Sequence, residues 1–169
     1  MLRPLGADRR AVRGNDLRPG SGSGSEIAFA WLWVVAWVAV VQIFASGSFS
    51  ASETSRFIGP LLRWLFPAAS AESVATVHFA IRKAGHFIEY AALALLALRA
   101  FHSSLDLPLA WLAAASLSLA LAVAVVDEVR QAAAANRTGA LSDVALDLAG
   151  ATSALALAGA ARRFWGVRT

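Results

Sequence analysis

Residues 27–46 read IAFAWLWVVAWVAVVQIFAS, twenty positions without a formal charge. At about 1.5 Å of rise per helical residue, this run spans the roughly 30 Å hydrocarbon layer of a bilayer. Trp31, Trp33 and Trp37 lie toward one end, which is where interfacial aromatic belts form. A signal peptide is the competing reading, with the small residues Ala45 and Ser46 as its cleavage site. The apolar cores of signal peptides run about 7–15 residues, and this one is longer and follows a long basic stretch, which favours a retained membrane helix.

The rest of the chain agrees with a bilayer as solvent. Of 169 residues, 58% are hydrophobic and 15% charged, with a mean hydropathy of +0.60. A soluble domain carries about 25% charged residues and an apolar share near 45–50%. There is no cysteine, which removes disulfides, thiolate metal sites and cysteine nucleophiles. The 15 Lys+Arg against 11 Asp+Glu give +4, and no clustered basic face with aromatics points to nucleic acid.

Residues 1–25 are rich in Gly, Ser, Pro and Arg and are expected to be a disordered basic tail; the pair Arg9-Arg10 lies too far from the apolar run for a twin-arginine signal. A membrane domain is expected over 26–162, with helices about 27–46, 74–101, 107–128 and 142–161, then a short basic tail over 163–169. Between the first two, Phe57–Phe66 makes a short amphipathic stretch broken by Pro60 and Pro67, suited to lie in the interface. The fold class is therefore all-α, a polytopic bundle of four transmembrane helices with an interfacial amphipathic helix after the first.

Two of the four helices reach spanning length only by taking ionisable residues with them. Leu148–Ala161 is 14 residues and must extend back through Asp147 and Asp143, with Ser142 as N-cap; the second helix carries Arg82, Lys83, His86 and Glu89 ahead of its apolar run. A charged side chain facing lipid costs about 2.5–3.5 kcal/mol on insertion scales, so these residues must face one another or a wet cavity. Alternation of helix direction places the start of the second helix, the end of the third and the start of the fourth at one end of the bundle.

Helical spacing sorts the residues at that end. Arg82, His86 and Glu89 stand at i, i+4 and i+7; Asp127 and Gln131 at i, i+4, with Glu128 beside them; Asp143, Asp147 and Gly150 at i, i+4 and i+7. Gly150 allows another helix or a ligand to approach closely. Four carboxylates at low dielectric must be protonated, paired or metal-bound. His78 and His102 belong to no such pattern and are expected at the surface, and the Trp residues are expected to be interfacial anchors.

Nine Arg (positions 3, 9, 10, 13, 18, 99, 162, 163 and 168) fall on the side of the termini, against six Lys+Arg on the other. Setting aside Arg82, Lys83, Arg130 and Arg137 as members of the polar cluster leaves nine against two. The positive-inside rule then places both termini in the cytoplasm and the polar end outside, in a multi-pass protein of the cell membrane.

The segments RKAGHFIEY (82–90) and DEVRQAAAANRTGALSDVALDLAG (127–150) together resemble the VanZ-like family, small multi-helix membrane proteins named for a component of glycopeptide (teicoplanin) resistance. Arg82, Lys83, His86, Phe87 and Tyr90 fill the first part of the family pattern. Asp127, Glu128, Gln131, Arg137, Gly139, Asp143, Val144 and Gly150 fill the second. Asp147 stands where Asn is more usual, and Asn136 precedes Arg137 where a Pro or Gly turn is expected. The resemblance covers about residues 27–160 and implies a role in antibiotic resistance at the cell envelope.

Three functions fit these residues. In the first, an extracytoplasmic polar pocket recognises a charged cell-envelope or lipid-linked group, such as a cell-wall precursor or another anionic headgroup. Arg82, Lys83, Tyr90, Gln131 and Arg137 would bind, and the acids and His86 would take amines, hydroxyls or a cation. In the second, the protein is a membrane-embedded hydrolase or transferase acting on a lipid headgroup, with His86, Glu89 and Asp127 as catalytic groups. A divalent cation, Mg²⁺, Mn²⁺ or Ca²⁺ by the oxygen-rich ligand set, would then be held by Asp127, Glu128, Asp143 and Asp147. No cofactor is demanded by the sequence. In the third, the polar groups are only interhelical glue.

Overall fold

A computed structural model of the chain describes residues 22–44, 51–133 and 141–164, and within them every element is helical. Helix α1 runs Gly24–Phe44, α2 Ala51–Leu65, α3 Ala71–Ser104, α4 Leu109–Ala133 and α5 Leu141–Phe164. All but α2 are long and apolar enough to cross a membrane. The expected all-α architecture with four spanning helices is present. The expected tail lies almost entirely outside the described residues, as does Arg137.

Local chemistry sets the starts of three helices. Ser23 and Glu26 form a capping box at the start of α1: the Ser23 amide donates to Glu26 Oε2 at 2.8 Å, and the Glu26 amide to Ser23 Oγ at 3.3 Å. Ser70 caps α3, accepting from the Ser73 amide at 3.1 Å. Pro108 stands immediately ahead of α4, its carbonyl accepting from Trp111 at 2.9 Å.

Three of the spanning helices, α3, α4 and α5, run past the expected bounds. α3 extends over 34 residues, not 74–101, and α4 continues past 128 to Ala133, carrying Arg130 and Gln131 in its last turn. At about 1.5 Å per residue α3 is near 50 Å long and exceeds the hydrocarbon layer, so its polar N-terminal turns reach the interface. α2 is also longer than the stretch read from the sequence, and Pro60 lies inside it. A proline in a helix interior loses one backbone hydrogen bond and crowds the preceding turn. The burial of Leu62 against the bundle, with Phe57, Leu61 and Trp64 left on an outer apolar stripe, favours continuing the helix through it.

α3 is the hub and packs against each of the other four helices, most extensively against α5. The core is small-residue packing: Ala94, Ala97 and Ala100 of α3, Ala120 and Ala124 of α4, and Ala151 of α5 are buried with Tyr90 and Leu93. In lipid there is no hydrophobic gain from bringing helices together, so close van der Waals fit holds them. Gly150 is the tightest point. A Cβ there would overlap the Phe87 carbonyl oxygen and lie 3.0 Å from its carbon, so the backbones of α3 and α5 meet at this residue.

Candidate functional site

The Phe87–Gly150 contact fixes the register of two helices that run parallel, and the polar residues follow from it. One residue earlier on α3 and one turn earlier on α5, His86 Nδ1 lies 3.7 Å from Asp147 Oδ1. A further turn back Lys83 pairs with Asp143, its ammonium also 5.3 Å from the centre of the Phe79 ring. The spacing of 83, 86 and 87 on α3 and 143, 147 and 150 on α5 makes one seam.

α4 closes the cluster from the other direction. Asp127 is buried, 2% exposed, and its Oδ2 accepts from Gln131 Nε2 at 2.8 Å one turn on. Asp147 is buried too, at 4%, with Asp127, Asp143, Glu89 and Glu128 within electrostatic range of it. Tyr90 is fully buried, and its hydroxyl has no hydrogen-bond partner among the described residues. Asp147 Oδ1 likewise accepts no hydrogen bond among them, since 3.7 Å is too long for one. A buried hydroxyl or carboxylate oxygen left without a hydrogen bond costs free energy, about 1–3 kcal/mol for a neutral group and more for a charged one.

The stripe Arg82, His86 and Glu89 divides among three neighbours because α3 is central. Arg82 reaches α2, donating to Thr54 Oγ1 at 3.3 Å. His86 faces α5, and the half-buried Glu89 lies near Asp127 of α4. Among the described residues no group of three or more His, Asp or Glu side chains is arranged to hold a metal ion. Lys83 engages Asp143 and Gln131 engages Asp127, and among the described residues Asp127, Glu128, Asp143 and Asp147 form no such group.

Two expectations are corrected. His78 is a buried residue, its Nε2 3.1 Å from Thr54 Oγ1. It stands four residues before Arg82 and eight before His86, a spacing that already marked one helical face. Trp37 is no interfacial anchor: its indole donates to the Glu89 carbonyl at 2.9 Å, inside the bundle. Gln42, which accepts from Arg130, ties the end of α1 to the end of α4 and had no signal beyond its position as the one amide in an apolar run.

The family model described as VanZ/LLP1 matches residues 29–162. No curated protein and no solved structure matches the chain. The matched span begins inside α1 and ends in α5, so it takes in every described residue of the polar cluster.

Proposed function

Since the chain belongs to the VanZ/LLP1 family of membrane proteins, we propose that the polar end of its bundle is a recognition pocket for a charged group of a cell-envelope or lipid-linked precursor. One observation carries the reading: carboxylates buried to 2% and 4% exposure on α4 and α5 gather at the same end as Lys83 and His86 of α3. Interhelical glue needs one or two such groups; this many ionisable residues, with polar atoms of Tyr90 and Asp147 that have no hydrogen bond among the described residues, suits a ligand better.

In this reading Arg82 and Lys83, joined by Arg137 of the sequence pattern, hold phosphate or carboxylate, Arg by its planar fork and Lys as a point charge. The inner acids, with Tyr90 and Gln131, take an amine or hydroxyls. The excess of Arg on the side of the termini supports cytoplasmic termini and a pocket open to the outside of the cell membrane. Sequestering such a precursor group would contribute to glycopeptide tolerance.

The test is to express the chain in a teicoplanin-sensitive bacterium and measure the inhibitory concentration. Arg137→Ala and Asp127→Asn are expected to remove the gain in tolerance while the protein still inserts at the wild-type level. Full tolerance in both inserted variants overturns the reading.

A further inference from the structure

Outside this cluster, α2 and the first two turns of α3 enclose a separate groove of about 400 Å³. Its walls are two helical stripes. Arg56, Gly59, Pro60 and Arg63 come from α2, and Val74 and His78 are among those from α3. The volume lies in the range of about 300–1,000 Å³ typical of small-ligand sites.

We propose that this groove binds the phosphate headgroup of an anionic phospholipid. Arg56 and Arg63 are seven residues apart, so they project from one side of α2 two turns apart, and among the described residues that line the groove none is a carboxylate. Two guanidinium groups flanking one cavity suit a phosphate, which each can grip through paired N–H donors. The floor is polar and buried: His78 is 9% exposed and held by Thr54, which also accepts from Arg82.

Depth selects a lipid as the source of the phosphate. Phe57, at 79% exposure, and Trp64, at 77%, occupy the stripe of α2 next to the arginines, with Leu61 between them. A helix with one apolar and one basic side lies in the membrane plane at the boundary of headgroups and acyl chains. That placement sets the groove at phosphate level, with Phe57, Leu61 and Trp64 facing the acyl chains of the same lipid.

The experiment uses the full chain in nanodiscs of phosphatidylcholine containing a minor share of phosphatidylglycerol, with retained lipid counted by native mass spectrometry. The wild type is expected to retain phosphatidylglycerol in preference to phosphatidylcholine. The double variant Arg56→Gln/Arg63→Gln is expected to lose that preference about tenfold. Arg99→Gln/Arg162→Gln, which removes the same charge from exposed positions at the other end, is expected to keep it. Equal losses in the two doubles, or no preference in the wild type, overturn the proposal. So does displacement of the lipid by inorganic phosphate, which would mark a free-anion site. A photoreactive phosphatidylglycerol supplies a second readout that needs no variant: labelling expected in residues 51–82 supports the groove, and labelling confined to other helices overturns it.

Discussion

The two halves of α3 are built on opposite principles. From Leu93 to Ala100 the buried side chains are Leu93, Ala94, Ala97, Leu98 and Ala100, and what holds them is fit. Polar bonding in the final turn includes hydroxyls returned to the helix's own carbonyls, as Ser104 does to Ala100 at 2.6 Å, and the Trp31 indole on Ser104 at 3.0 Å. From His78 to Tyr90 the side chains turned toward neighbouring helices include an imidazole pair, a lysine, an arginine, a carboxylate and a phenol. The difference teaches where specificity enters a membrane bundle. Packing of small residues assembles the helices, and polar residues can then gather at one end. The point of closest approach, Gly150 against Phe87, lies within the polar half, so a packing residue sets the register of the site.

The largest test of this contrast is Gly150→Leu. The obstruction is backbone that cannot swing aside, so the cost should reach about 3 kcal/mol or more, the upper end for overpacking. The expected outcome is loss of the folded bundle in detergent thermal denaturation, whereas Gly159→Leu, at the other end of α5 with open space around it, should melt close to wild type. Similar melting of the two variants would break the idea that one glycine sets the register.

A smaller effect separates buried from half-exposed polar contacts. Gln131→Ala takes the amide donor from the buried Asp127 carboxylate and should cost about 1–3 kcal/mol in equilibrium unfolding. The Lys83–Asp143 pair, with side chains 29% and 30% exposed, should show a coupling of only about 0.2–1 kcal/mol in a double-mutant cycle of Lys83→Ala and Asp143→Ala. A coupling larger than the Gln131→Ala loss would mean that the mouth is more deeply desolvated than its exposure indicates.

Much of the site was legible before any coordinates. The shortness of the charge-free run 148–161 required Asp143 and Asp147 to enter the last helix, and the alternation of helix direction required them to meet residues 82–90 and 127–131. The pairs Lys83–Asp143 and His86–Asp147 are that requirement met. The stripes could not say which neighbour each residue faces, because periodicity assigns a side of one helix and not the helix opposite. Hence the stripe that sets Arg82 beside His86 and Glu89 does not reveal its bond to Thr54, and periodicity does not reveal the bonds of His78 to Thr54 and of Trp37 to the Glu89 carbonyl.

The sequence by itself determined four apolar helices, an amphipathic segment and a single polar end, because length and charge decide what a bilayer will accept. Tertiary structure alone decided the central place of α3, the register set at Gly150 and the basic groove beneath α2. These depend on how close two backbones can come, a property of pairs of helices that no one-dimensional pattern records.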